Sequence, residues 1–363
     1  MNKVLARTPL SWIVCVVALL LGCAQNAKKT DTLSSQHVTA PVDIQINDPK
    51  PYPFKFVAYG DMRYAERARY GIVIANAKAR QQVVDQIASE SPAFLVIAGD
   101  FVFRGFHAED WTFFDRAIKP VRDHGIRIFP AIGNHEVGPF PSRTFGGDAL
   151  LEIETDTKEH VASRGLANYW KEFPEVSQKR WYSARYANCY FLMLDSELDD
   201  EQSNVAQDQW IKSQLDAMPA EIDYIFVVLH RPPYTAMTGP VYDPRPAQIA
   251  LRKSLEARQP TIRAHIIVIA GHVHNYERYE HGGVQYIVSG GGGAAPAKFP
   301  RSSDDRYPNP QFGKNDPNED QYHYCRFTVD HSKLKFEMMK LVNTWTSTAF
   351  VPRDSFELDI VAH

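Results

Sequence analysis

The chain has 363 residues, a formal net charge of −3 and 44% hydrophobic residues. That is enough apolar material to bury a full core, and it excludes a globally disordered chain. The mild acidity argues against a nucleic-acid-binding surface as the main function.

At the N-terminus, Lys3 and Arg7 precede an apolar run from Trp12 to Leu21 that is too short for a comfortable transmembrane helix. A signal peptide over residues 1–22 is expected. The run stops at Leu20-Leu21-Gly22-Cys23, which resembles the lipobox of bacterial lipoproteins. The resemblance implies lipidation of Cys23 and a protein held in the cell envelope, at the outer membrane facing the periplasm or at the cell surface. An ordinary signal peptide and an uncleaved anchor helix are the alternatives. Residues 23–53 then serve as lipidated cysteine and flexible polar tether, and a single folded domain covers 54–363. Cys15 leaves with the signal. Cys189 and Cys325 either pair in an oxidising compartment or stay as buried thiols; no CxxC pattern is present, and the buried-thiol reading is preferred.

From Phe54 onward, strand-length apolar runs alternate with helical patterns. Strands are expected at Phe54–Tyr59, Phe94–Ala98 and Ile126–Ile132, with helices at 79–89 and 111–123 between them. This βαβαβ start implies a parallel sheet with right-handed crossovers. Residues 140–180 are less regular, with a short helix near 167–172, and read as an insertion or lid. Strands at 181–186 and 190–194 open a second sheet, joined by a turn at Ala187-Asn188. A helix at 207–218, a strand at 224–229, a helix at 246–256 and strands at 265–270 and 284–288 follow. A polar loop spans 299–320, and strands at 322–329, 333–341 and 355–361 complete the chain.

Five of these apolar runs end in chemistry-bearing residues: Gly60-Asp61, Gly99-Asp100, Gly133-Asn134-His135-Glu136, His230, and Gly271-His272-Val273-His274. Two carboxylates, an amide oxygen and four imidazoles suit two metal ions sharing one group. A carboxylate such as Asp100 can bridge two cations, whereas one imidazole cannot. His272 and His274, two apart on an extended segment, point to opposite sides and can serve different metals. Each piece alone is weak, since a Gly-Asp pair is most often a turn; the ordered set of five is not.

These motifs resemble the calcineurin-like metallophosphoesterase superfamily, in the branch related to purple acid phosphatases. Trp181-Tyr182-Ser183, His230-Arg231-Pro232-Pro233-Tyr234, His274-Asn275-Tyr276-Glu277-Arg278 and the Gly290–Gly293 run add to the likeness, which covers about 54–294. It implies a four-layer α/β/β/α sandwich and hydrolysis of a small-molecule or surface phosphoester. By that likeness metal one takes Asp61, Asp100 and His274, and metal two takes Asp100, Asn134, His230 and His272. Manganese, iron or zinc suit these ligands. A hydroxide bridging the metals attacks phosphorus in line, Asn134 also touches substrate, His135 is the general acid, and Glu136 orients it. The chain departs from the pattern at metal one. Arg63 stands where most relatives place a histidine ligand, and Phe103 where purple enzymes place a tyrosine, so weaker binding at metal one and no tyrosinate colour are expected. Arg63 is instead a candidate clamp on a phosphate oxygen, with Arg104, Tyr234 and Arg278 as weaker candidates for the rim. His107, His124, His160, His281, His323 and His331 are expected at the surface and His265 as structural. The alternatives are a phosphodiesterase or nucleotide-cleaving enzyme of the same fold, and a surface-binding lipoprotein with a silent site.

Overall fold

The apolar runs pair into two sheets. The computed structural model describes residues 42–46, 52–65, 75–138, 157–297, 322–343 and 347–361. The signal segment, Cys23 and most of the tether lie outside the described residues, as do 139–156 and the polar loop over 298–321. Among the described residues no helix is long and apolar enough to cross a membrane.

The first sheet runs in the order β13 (Thr348–Asp359), β12 (Lys333–Asn343), β11 (His323–Val329), β2 (Phe54–Tyr59), β3 (Phe94–Ile97), β4 (Arg127–Pro130). Strands β2, β3 and β4 are parallel, and β11 to β13 form an antiparallel meander against β2. The second sheet runs β1 (Asp43–Gln45), β5 (Tyr182–Tyr186), β6 (Cys189–Met193), β7 (Tyr224–Leu229), β8 (His265–Ala270), β10 (Val284–Ser289), β9 (Tyr276–His281). Here β6, β7 and β8 are parallel and the β9–β10 hairpin closes one edge.

The sheets face each other across aromatic rings. Phe56 of β2 meets Phe191 of β6 edge-on at 5.4 Å and Phe226 of β7 at 5.0 Å, while Phe327 of β11 stacks beside it at 4.6 Å. Strand periodicity divides the second sheet cleanly. Phe191, Tyr224, Phe226 and Val228 join the inter-sheet core, and Leu192, Ile225, Val227 and Leu229 face the outer helices. Helices α1 (Ala77–Glu90) and α2 (Ala108–Asp123) pack on the first sheet through Val83, Val84, Ile87, Phe114 and Ile118. A one-turn helix α3 (Asn134–Val137) and α4 (Lys158–Glu172) come next in the chain. Helices α5 (Glu201–Asp216) and α6 (Pro246–Arg258) cover the second sheet through Ile211, Leu215, Leu251 and Leu255. The result is the expected α/β/β/α sandwich.

Three expectations are corrected. Residues 43–45 are not tether: β1 pairs in parallel with β5, and Val42, Ile44 and Ile46 lean on the core. Their alternation is a strand signal that the polar flanks hide. The 157–180 half of the supposed lid is support for the site. Helix α4 is capped by Thr157, whose hydroxyl accepts from the His160 N–H at 3.2 Å, and Asn168 donates to the Gly105 carbonyl at 2.9 Å. His323 is fully buried rather than exposed, 3.1 Å from the Ser289 hydroxyl and edge-on to Tyr276. Cys189 and Cys325 are free buried thiols, one in each sheet. Helix α4 approaches the Asn134–Val137 turn so closely that a Cβ at Gly165 would fall on the Glu136 carbonyl oxygen. Gly165→Ala is therefore expected to destabilise the fold by about 1–3 kcal/mol, read as a lowered melting temperature.

Candidate metal centre

All five motifs leave the C-terminal ends of strands at one end of the double sheet: β2, β3 and β4 from one side, β7 and β8 from the other. That is where α/β folds commonly build sites. The turns are sharp. Asp61, Asp100 and His272 have φ of 64°, 57° and 68°, a left-handed conformation uncommon for residues other than glycine. Gly99 has φ of 88°, and a Cβ there would sit 2.7 Å from His230 Nδ1 and 2.8 Å from the Gly133 backbone. Only glycine allows the β3 and β4 turns to approach this closely.

Each of four imidazoles spends one nitrogen on a backbone carbonyl. His230 Nδ1 lies 2.8 Å from Ala98 O, His272 Nε2 2.7 Å from Val241 O, His274 Nδ1 2.7 Å from Ala295 O, and His135 Nδ1 2.7 Å from Phe103 O. In a neutral ring, donation to the carbonyl leaves a lone pair on the other nitrogen of His230, His274 and His135, whereas His272 Nε2 also lies 2.8 Å from an Arg231 guanidinium nitrogen and can accept from it. The nitrogens turned away from the carbonyls face the other candidate ligands. His230 Nε2 is 3.0 Å from Asn134 Oδ1 and 3.2 Å from Asp100 Oδ1. His272 Nδ1 is 2.9 Å from Asn134 Oδ1 and 3.3 Å from His230 Nε2. A cation among these atoms would take the Asn134 and Asp100 oxygens, the His230 Nε2 lone pair and, in the tautomer protonated on Nε2, His272 Nδ1. On the other side, His274 Nε2 is 3.4 Å from Asp61 Oδ1, and both atoms are buried without a hydrogen-bond partner. Buried polar atoms left in that state call for an explanation, and a second cation supplies one. Asp61, Asp100 and His230 also bring ligand atoms within 4.8 Å of one another. The donor set thus fits two cations. Asn134, His230 and His272 lie around one, Asp61 and His274 beside the other, and Asp100 lies between. The opposite orientation of His272 and His274 matches the sequence expectation.

Asp100 is the electrostatic hub. Its Oδ1 accepts the His135 N–H at 3.0 Å, and its Oδ2 receives Arg63 Nε at 3.2 Å and a terminal Arg63 nitrogen at 3.1 Å. Burial works against its charge, but His135, His230, Arg63 and the His135 N–H hold the carboxyl well below the usual carboxylate range. Burial, reinforced by Arg63, pushes His135 well below the usual imidazole range, and burial with His230 and Arg231 does the same to His272. Neutral rings are what ligation requires.

Glu136 does not orient the His135 ring, which the Phe103 carbonyl holds. Its carboxylate instead accepts the backbone N–H groups of Asp100, Phe101 and Gly133, each at 2.9 Å. Burial and the Asp100 charge raise it to about 8 despite these bonds. The three rim candidates are braces inside the body of the fold. Arg104 is buried on Asp110 through bonds of 3.1 and 3.0 Å, Arg278 is paired with Asp354, and the Tyr234 hydroxyl donates to Glu256 at 2.7 Å. His265 is structural as expected, bonded to Asp359 O. Sequence reasoning missed Arg231. It bonds Glu197 at 3.0 Å and Val241 O at 3.1 Å, and the guanidinium nitrogen on Val241 O also lies 2.8 Å from His272 Nε2. Its place directly after His230 was the available signal. The carbonyls of Ala98, Phe103, Val241 and Ala295 carry no side-chain signature at all.

Comparison with known proteins agrees with this geometry. The family model described as calcineurin-like phosphoesterase matches residues 54–276, a span containing all five motifs. Purple acid phosphatase 22 of Arabidopsis thaliana is 25% identical over 238 residues, covering 64% of this chain and 46% of that protein. Probable inactive purple acid phosphatase 1 of the same plant is 26% identical over 313 residues, covering 78% and 47%. The chain spans about half the length of these curated relatives. Among solved structures, a purple acid phosphatase from yellow lupin (Lupinus luteus) seeds superposes with a TM-score of 0.62 at 21% identity, covering 85% of this chain and 54% of that one, which supports the fold. With the matched span running through every strand end that builds the centre, the chain belongs to the calcineurin-like phosphoesterase family.

Proposed function

We propose that the chain is a metal-dependent hydrolase of phosphoester bonds. The observation that carries this reading is the convergence of His230 Nε2, His272 Nδ1, Asn134 Oδ1 and Asp100 Oδ1, beside Asp61 Oδ1 and His274 Nε2, which are buried without a hydrogen-bond partner. Cations held there would supply positive charge against the phosphoryl oxygens and acidify a water, whose pKa falls from about 16 in bulk to about 7 beside such a metal. The protein contributes the rest. The strained turns and carbonyl-locked rings fix the donor atoms before substrate arrives. His135 Nε2, the ring atom left over by the bond to Phe103, is 3.7 Å from Asp100 Oδ2. We assign it to passing a proton to the leaving oxygen, a proton that Nε2 must first take up at its lone pair, because burial and Arg63 hold the ring neutral.

His135→Ala is expected to lower hydrolysis of p-nitrophenyl phosphate by about 10²–10⁴-fold, with metal content and circular dichroism unchanged. Undiminished turnover would remove the assignment. The ratio of rates on p-nitrophenyl phosphate and its bis ester distinguishes a monoesterase from a phosphodiesterase. A silent, ligand-binding site is the second reading. It is favoured by the Arg63 guanidinium lying on Asp100, and one relative is named as probably inactive. Less than one metal per chain, with no turnover after added manganese, zinc or iron, would select it. We also infer that the domain is held at a membrane surface through a lipid on Cys23. Fatty-acid labelling that survives Cys23→Ser would overturn this.

A further inference from the structure

The two halves of the centre are unequal. Among the described residues, Asp100, Asn134, His230 and His272 stand around one position, and Asp61, His274 and the shared Asp100 around the other. Arg63, two residues after Asp61 in the chain, places two guanidinium nitrogens on Asp100 Oδ2, the carboxylate the two halves share. Its backbone is pinned: the N–H donates to Asp100 O at 3.0 Å, the carbonyl accepts from Arg80 at 3.0 Å, and φ is 50°. Its side chain is 13% exposed while that of Asp100 is fully buried. Two divalent cations already exceed the charge of the Asp61 and Asp100 carboxylates, and Arg63 adds to that excess at a distance where like charges repel strongly.

We propose that Arg63 couples retention of the second cation to the presence of a phosphate anion. The proposal rests on the hydrolase reading of the same centre. One cation binds tightly at the four-ligand position. The other, beside Asp61 and His274, competes with the guanidinium for the charge of Asp100 and is held weakly. A phosphate group entering the site offers Arg63 an alternative bidentate partner, and its charge offsets the excess. The guanidinium then leaves Asp100 for the anion, and the second cation is retained. Arg63 is thereby a positioning residue with two alternative carboxylate and phosphate partners.

The test is metal binding rather than turnover. The full chain, stripped with chelator, is titrated with Mn²⁺ and its bound metal is counted by elemental analysis, with and without inorganic phosphate. Wild type is expected to hold one Mn²⁺ firmly, and phosphate is expected to tighten the second by about tenfold or more, a common size for coupling between two ligands. Arg63→Met should bind the second Mn²⁺ about tenfold tighter than wild type in the absence of phosphate, and should gain less from phosphate. Arg63→Lys keeps the charge without the fork and should fall between them. Melting curves confirm that the variants are folded. A second Mn²⁺ that binds no tighter in Arg63→Met, or two firm and phosphate-independent sites in wild type, would overturn the proposal and leave the hydrolase reading standing. No Mn²⁺ bound by any form would overturn both.

Discussion

Asp100→Asn is expected to cut phosphoester hydrolysis by about 10³-fold and to lower metal content with it. The amide keeps the shape of the carboxylate, so its oxygen can still accept the His135 N–H now bonded to Oδ1 at 3.0 Å. The fold should therefore survive, with an unchanged circular dichroism spectrum. What is lost is the negative charge between the two halves of the centre. In addition, the amide nitrogen would meet the Arg63 guanidinium, a donor against donors where Oδ2 now accepts two bonds. Turnover and elemental analysis on the same preparation check the result. Normal activity with normal metal content would take Asp100 out of the centre.

Glu136→Ala should do its damage through stability. Its carboxylate terminates three buried peptide N–H groups, from Asp100, Phe101 and Gly133. Leaving each unpaired costs about 1–3 kcal/mol, so a loss of at least about 3 kcal/mol is expected. That corresponds to a fall in melting temperature on the order of 10 °C for a domain of this size. Glu136→Gln should recover only part of it. One carbonyl oxygen cannot serve both halves of the set, and the amide N–H would point at peptide N–H groups. Because these bonds tie the β4 turn to the β3 turn, metal affinity should fall along with stability. A variant as stable as wild type would show that the three N–H groups find other partners.

The two substitutions separate what a single chain could reveal from what it could not. The convergence of Asp61, Asp100, Asn134, His230, His272 and His274 was legible because side chains that can hold a metal are of a few types, placed here on tight turns where apolar strands end. The sandwich was legible for the same reason: β3 and β7 are continuous apolar runs buried on both faces, and β2 and β8 are interrupted only at the half-buried Lys55 and His265. The role of Glu136 was not legible. Its partners are peptide groups from another turn, and adjacency to His135 suggested the wrong one. Strand β1 was hidden because Asp43–Gln45 is short and set among polar residues. Strand β9, Tyr276–His281, was hidden because Glu277 and Arg278 within it are buried in a network with Thr235, Tyr279 and Asp354 rather than by apolar contact. His323 looked like a surface residue because a polar stretch precedes it, while pairing with Lys340 carries it inside.

The centre draws its donor atoms from strand ends of both sheets. Any ion seated there works as a rivet through two plates already joined by apolar packing and by cross-sheet bonds such as Tyr224 to Leu358 O and Arg278 to Asp354. Cohesion of the sandwich and hunger for the ion are then one free energy viewed from two ends. A cell starved of that ion would own a looser protein.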